Sequence, residues 1–229
     1  QIDVFMRPTV AILTTGDEVV DLDARPDAHQ VRDANAMPLA AQVEAAGGVA
    51  HVLPRVGDTL EETLARLEDG LQCGLLLVTG GVSAGKYDFV EAAFEHLGAE
   101  LFFTRVRMQP GRPCVFGRVR GSYFFGLPGN PASAMVCFET LARAALELLA
   151  GIDEPRLGLT RAVLAKPFRQ APGLRRFLPA MLGEDGTLTP VDWAGSGDVA
   201  AVARANVWMV TDPERERYSA GDWMEVLKR

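Results

Sequence analysis

This chain of 229 residues contains no apolar run long enough to cross a bilayer, and no secretory leader pattern opens it. No membrane partner is therefore expected. Cysteine is scarce and odd in number. Cys73, Cys114 and Cys137 sit among apolar neighbours, which argues against a disulfide framework and favours a reducing, cytoplasmic setting. Histidine is equally scarce, and His29, His51 and His96 are too isolated to show metal-ligand spacing. Positive charge is in deficit. The net charge of −7 argues against a broad nucleic-acid surface, although a local basic pocket for a small anion remains open. An initiator methionine is also missing, and the opening QIDVFMRPTV runs almost at once into a strand, so a piece of a longer protein is expected.

What is present suits a folded α/β chain. Hydrophobic residues make up 48% of it and charged residues 23%, enough for a real core and too apolar for wholesale disorder. Leu75 to Val78 is a continuous apolar run, the pattern of a parallel strand buried on both faces. It ends in Thr79-Gly80-Gly81, and a helical pattern resumes near Asp88. A strand feeding a Gly-rich turn and then a helix presents backbone N–H groups to an anion. Gly80, Gly81 and Gly85 remove Cβ atoms, Thr79 and Ser83 add hydroxyls, Lys86 adds a positive charge, and Asp88 is a cap or a metal ligand. The same residues also describe an ordinary βα turn.

Strands are expected at 9–14 and 49–56, with helices at 34–46 (Asn35 as N-cap), after Asp58 as cap, and at 89–97. Leu101 to Met108 reads as one strand, carrying Arg105 and Arg107 on one face, and two short strands follow. Gly126-Leu127-Pro128-Gly129-Asn130-Pro131 then opens a long helix to Leu149, with Asn130 as N-cap, Pro131 at N1 and Ser133 in the first turn. Beyond Gly151 only short strand patterns recur, punctuated by Gly, Pro and Asp. The fold predicted is an open, mostly parallel sheet with helices on both faces over 1–151, followed by a small all-β barrel or sandwich over 152–229.

In an open α/β sheet, ligands bind beyond the carboxyl ends of the strands. Four turns should gather there: Thr15–Glu18, Asp33–Asn35, Thr79–Asp88 and Gly126–Ser133. They bring Asp17, Glu18, Asp33 and Asp88 beside anion-binding turns, and carboxylates there suggest a nucleotide or phosphate bridged by Mg²⁺. Arg105, Arg107 and Arg112 are either part of that pocket or a solvated strand edge.

TGDE (15–18), DAN (33–35), TGGVSAGKYD (79–88), PGRP (110–113) and GLPGNPAS (126–133), in this order and spacing, resemble the molybdopterin molybdenumtransferase family, MoeA and gephyrin. The resemblance implies that adenylated molybdopterin and molybdate give molybdenum cofactor and AMP in a Mg²⁺-dependent step. It implies a homodimeric longer protein, with part of the site on an N-terminal domain, so that this piece alone would bind but not turn over. Glu18, Asp33 and Asp88 match the family's functional acids, as catalytic residues and Mg²⁺ ligands. Thr79, Gly80, Gly81, Ser83, Gly85, Lys86, Arg112, Gly126, Pro128, Gly129, Asn130 and Ser133 fall in its pterin-nucleotide turns. Ser196, with Arg175 and Arg176 nearby in sequence, falls to the molybdate site. Two departures stand out. Gln109 occupies a position where the family has Lys, and Leu174, Arg176 and Pro179 stand where its Gly-Arg-x-Glu-Phe-x-Arg motif has Arg, Glu and Arg. They motivate an alternative, a degenerate relative or scaffold that binds a pterin nucleotide without inserting metal. An adenylyltransferase fits the later turns and the β-rich tail less well.

Overall fold

The structure is a computed structural model, and it describes residues 2–81 and 89–229. Two compact units form: Gln1–Val106 with Pro113–Pro155, and Arg107–Arg112 with Arg156–Arg229.

The first unit is built on a six-stranded sheet in the order Val49–Val52, Thr9–Thr14, Leu75–Thr79, Ser122–Leu127, Val115–Val119, Glu100–Phe103. The first four strands run parallel, and the last two add an antiparallel edge. All five residues of Leu75–Thr79 are buried, as a strand covered on both faces requires. Alternation then sorts the side chains. Ala11, Leu13, Leu76, Val78 and Phe124 meet Leu67 and Leu71 from one helical segment and Val90, Ala93 and Phe94 from another. Phe94 stacks on Phe124 with ring centres 3.7 Å apart. On the opposite face the helices Ala36–Ala45 and Pro131–Cys137 cover the sheet, burying Leu39, Val43, Ala134 and Val136. The expected mostly parallel sheet with helices on both faces is present.

The connection from Thr9–Thr14 leads to the strand on one side of it, Val49–Val52, whereas the chain leaving Leu75–Thr79 continues towards the other side. The carboxyl ends of these two neighbours therefore define the switch point of the sheet, where flanking turns diverge and leave a crevice.

Several expectations are corrected. Asp58 is not the cap of its helix: Thr59 is, its hydroxyl accepting from the Glu62 N–H at 3.4 Å. Thr59-Leu60-Glu61-Glu62 is the S/T-x-x-E pattern of a capping box. The helix Pro131–Cys137 reaches Leu149 only through a π-helical turn, Phe138–Ala142, followed by Arg143–Leu149. The strand expected over 101–108 stops at Phe103, after a register shift between Leu101 and Phe103. Arg105 and Arg107 therefore share no strand face. Arg107 begins the segment that joins the second unit, where Met108–Gln109 pairs with Arg175 and Arg176.

In the second unit, Thr187–Pro190, Leu159–Leu164, Trp223–Lys228, Val207–Val210 and Arg175–Leu182 pair in that order, and the last returns to the first. This is a closed five-stranded barrel, which decides between barrel and sandwich. Ala162, Leu164, Ala180, Leu188, Val207, Met209, Met224 and Val226 fill its interior, at every second position along their strands. A short helix, Val199–Arg204, was not foreseen. It starts at Asp198, whose side chain accepts from the Ala201 N–H at 2.9 Å.

Candidate pterin-nucleotide site

The site in the first unit is assembled around Asn35. Its Nδ2 donates to Thr79 Oγ1 at 3.0 Å and to the Gly129 carbonyl at 2.8 Å, joining three of the four turns. Thr15 brings in the fourth: its N–H and hydroxyl both donate to the Thr79 carbonyl, at 2.9 and 3.3 Å. Gly80 N–H donates to the Leu127 carbonyl at 3.3 Å. Asn35 is only 7% exposed, and among the described residues its Oδ1 has no hydrogen-bond partner. A buried amide oxygen left open in this way favours an arriving donor.

Asn35 does not cap its helix by its side chain. Asp33 does that work: its Oδ1 accepts from the N–H groups of Asn35 and Ala36 at 2.8 and 3.0 Å. The D-x-N spacing carried this signal, since an Asp side chain commonly turns back onto N–H groups two and three residues on.

Gly80 and Gly81 are glycines for reasons of the fold. Both have positive φ (88° and 59°), and a Cβ would lie 2.6 Å from the Thr15 carbonyl oxygen in the first and 2.6 Å from Val90 in the second. Gly129 differs: the nearest atom to a Cβ there would be Gly80 Cα at 3.7 Å, ordinary contact. Among the later turn residues, Gly126, Pro128 and Ser133 are buried, while Gly129 and Asn130 reach the surface. Ser83, Gly85, Lys86 and Asp88 lie outside the described residues.

Glu18 is exposed and Asp33 half-buried. Asp17 Oδ1 accepts from the Asp58 N–H at 3.0 Å. Burial raises the Asp58 carboxyl above its ordinary value, and the negative charges of Asp17 and Glu18 push the same way, against the lowering contact with Asp17. Asp58 thus joins an acidic group in which sequence reasoning had not placed it. Among the described residues no cluster of three or more His, Cys, Asp or Glu could hold a metal ion.

In the second unit, Ser196 lies in a turn before Asp198. Arg175 and Arg176 are consecutive on a strand, so they point to opposite faces and do not serve one anion together. Arg175 lines a depression of about 320 Å³ with Arg161, Arg215, Tyr218 and Trp223. Arg176 instead donates to Gln109 Oε1. The two departures from the family pattern, at 109 and 176, are therefore hydrogen-bonded to each other. Arg112 is exposed and belongs to this unit, beside Gly111 with φ 105°.

Comparison with known proteins agrees with this architecture. The model of the family described as "Probable molybdopterin binding domain" matches residues 11–148, more than half of the chain. The chain belongs to that family. The "MoeA C-terminal region (domain IV)" model matches residues 161–228, the barrel. A molybdopterin molybdenumtransferase of Bacillus subtilis is 30% identical over 230 residues, covering 99% of this chain and 54% of that protein. One from Staphylococcus aureus is 26% identical over 231 residues, with 99% and 55% covered. The crystal structure of a molybdopterin biosynthesis moea protein from Pyrococcus horikosii superposes with a TM-score of 0.83 at 26% identity, covering 97% of this chain and 54% of that one. The chain thus spans about half the length of the curated relatives it matches.

Proposed function

We propose that this chain is the part of a molybdopterin molybdenumtransferase that holds adenylated molybdopterin at the sheet switch point and molybdate on the barrel unit, for metal insertion with release of AMP. The observation that carries the reading is the Asn35 tie between Thr79 and Gly129, which draws the expected turns to one edge of the sheet. A crevice at that edge suits a nucleotide, because ligands of open α/β sheets bind at such a switch point and Gly129 leaves room for close approach.

The work of these residues is positioning and electrostatics rather than proton transfer. Asn35 fixes the distance between turns, and Gly129 admits the close approach of a ligand. Glu18 and Asp33 would hold Mg²⁺ with Asp88, and the ion when bound would offset phosphate charge. Ser196 and one arginine of the barrel unit would receive the oxyanion. A homodimeric whole protein and a cytoplasmic location form part of the same proposal, and three reduced cysteines suit the latter. The MoeA-type barrel favours this reading over a scaffold role.

Calorimetric titration of the 229-residue chain with adenylated molybdopterin should show saturable binding. AMP release on adding molybdate and Mg²⁺ should stay near background for the chain alone and become robust in the whole protein. Failure to bind the pterin nucleotide would overturn the proposal.

A further inference from the structure

We propose that Gln42 and Glu139 are positioning residues for the pterin-nucleotide site, a second tether that fixes how the two helices bearing its turns lie against each other. The proposal rests on the proposed function for its ligand, and on the first unit alone for its geometry.

The helix Ala36–Ala45 begins after Asn35, and the helix Pro131–Cys137 begins after Gly129-Asn130. Each therefore carries one of the site turns at its start, and the bond from Asn35 Nδ2 to the Gly129 carbonyl joins those two ends. A single tether at one end leaves two rods free to pivot about it. Gln42 stands seven residues after Asn35. In a helix that is two turns on, along nearly the same face and about 10 Å further along the axis. From there its Nε2 donates to the Met135 carbonyl at 3.2 Å and to Glu139 Oε1 at 2.8 Å. The second tether removes the pivot.

Glu139 is held for this contact. It is 4% exposed and belongs to the π-helical turn Phe138–Ala142, a form frequent at functional sites. Its Oε2 accepts from Arg143 Nη1 at 3.0 Å, and Arg143 Nε donates in turn to Glu147 Oε1 at 2.9 Å. Oε1 is thereby left to Gln42. The amide oxygen of Gln42 is buried and, among the described residues, has no partner. Such polar groups are a poor way to stabilise a contact between helices, because an apolar pair of similar volume is commonly as stable or more so. What they supply is register. A hydrogen bond is satisfied at one distance and direction, whereas apolar surfaces can slide. The register set here is that of Asn35 against Gly129, so Gln42 and Glu139 act on the ligand through the spacing of the turns and without touching it.

The test is calorimetric titration of adenylated molybdopterin into the 229-residue chain and its variants, with thermal melts of each. Q42M keeps the length of the side chain and removes the donor. It should bind about tenfold more weakly, on the order of one buried hydrogen bond expressed in affinity. Q42K restores a donor to Met135 and Glu139 and should recover most of the loss. The decisive variant is Q42M/E139M, apolar on both sides. Its melting temperature should match or exceed that of Q42M, yet it should bind just as weakly. A purely structural contact would instead regain affinity together with stability. If Q42M fails to fold, the double variant decides, and failure of both to fold assigns the contact to folding alone and overturns the proposal. Wild-type affinity in a folded Q42M, recovery of affinity in Q42M/E139M, or Q42K no tighter than Q42M also overturns it. All of these outcomes leave the proposed function standing, whereas a wild type that does not bind adenylated molybdopterin overturns both.

Discussion

Asn35 Nδ2 donates to the carbonyl of Gly129 over 2.8 Å, although the two residues are 94 positions apart. The same nitrogen also reaches Thr79 Oγ1. One nearly buried side chain thus closes the gap between the helix that starts after it, the central strand and the turn before Pro131. Asn35→Ala leaves the Thr79 hydroxyl and the Gly129 carbonyl without this donor. It should cost about 1–3 kcal/mol, the range for a buried polar group losing its partner. Urea denaturation of the variant would measure the loss. An unchanged midpoint would show that the three turns are held by other means.

The two kinds of glycine at the site should separate by substitution. Gly80→Ala must accept φ 88° and a Cβ 2.6 Å from the Thr15 carbonyl oxygen, so a clear fall in melting temperature is expected. Gly129→Ala meets only Gly80 Cα at 3.7 Å and should fold normally while binding adenylated molybdopterin more weakly. If Gly129→Ala binds with wild-type affinity, ligand does not approach the backbone there.

Asp33 offers a way to divide structural from electrostatic roles. Its Oδ1 accepts two backbone N–H groups, and the amide oxygen of Asn can do the same. Asp33→Asn should therefore preserve the melting temperature within about 2 °C, which corresponds to about 0.5–1 kcal/mol in a chain of this size. In the whole protein it should lower Mg²⁺-dependent AMP release by about tenfold or more, if the carboxylate charge serves the ion. Undiminished release would restrict Asp33 to helix capping.

A pH effect is expected at Asp198. Hydrogen bonds from the Ala201 and Ala194 N–H groups hold its carboxyl below the ordinary value of 3.8. A depressed acid stabilises the fold above its unfolded pKa, and that contribution disappears as pH falls through the folded value. Asp198→Asn keeps an accepting oxygen but cannot titrate. Its stability relative to wild type should be lower at neutral pH, and the difference should shrink as the pH falls below 3.8. Thermal melts from pH 7 to pH 2.5 give the comparison, and a gap that stays constant with pH would contradict it.

Burial in the first unit can be tested at Phe124, which is fully buried and stacked on Phe94. Phe124→Ala removes the ring from the contact between sheet and helices and should cost about 3–5 kcal/mol. Equilibrium denaturation monitored by far-UV circular dichroism would detect it. A loss below about 1 kcal/mol would mean that the cluster collapses to fill the space.

Much of this protein is local enough to be legible in its sequence. Leu75 to Thr79 had to be a buried strand because consecutive apolar residues bounded by glycines leave no solvated face. The strands 159–164 and 223–228 mix polar with apolar residues and are half-buried, whereas 207–210 is apolar throughout and buried throughout. Five spaced motifs carried the family, because each is a turn whose chemistry depends on its own residues. Other features depended on residues distant in sequence. Asn35 looked like a helix cap, and only the folded sheet brings Thr79 and Gly129 within reach of its amide. Gly81 looked like room for a ligand, and only the packing of Val90 shows that the space is already occupied. Arg175 and Arg176 looked interchangeable until strand pairing set Gln109 opposite the second of them. Sequence determines the elements because backbone periodicity and turn chemistry act over a few residues. Tertiary structure alone decides which side chains share a site, because hydrogen bonds and steric contacts act through space over a few ångströms, whatever the separation along the chain.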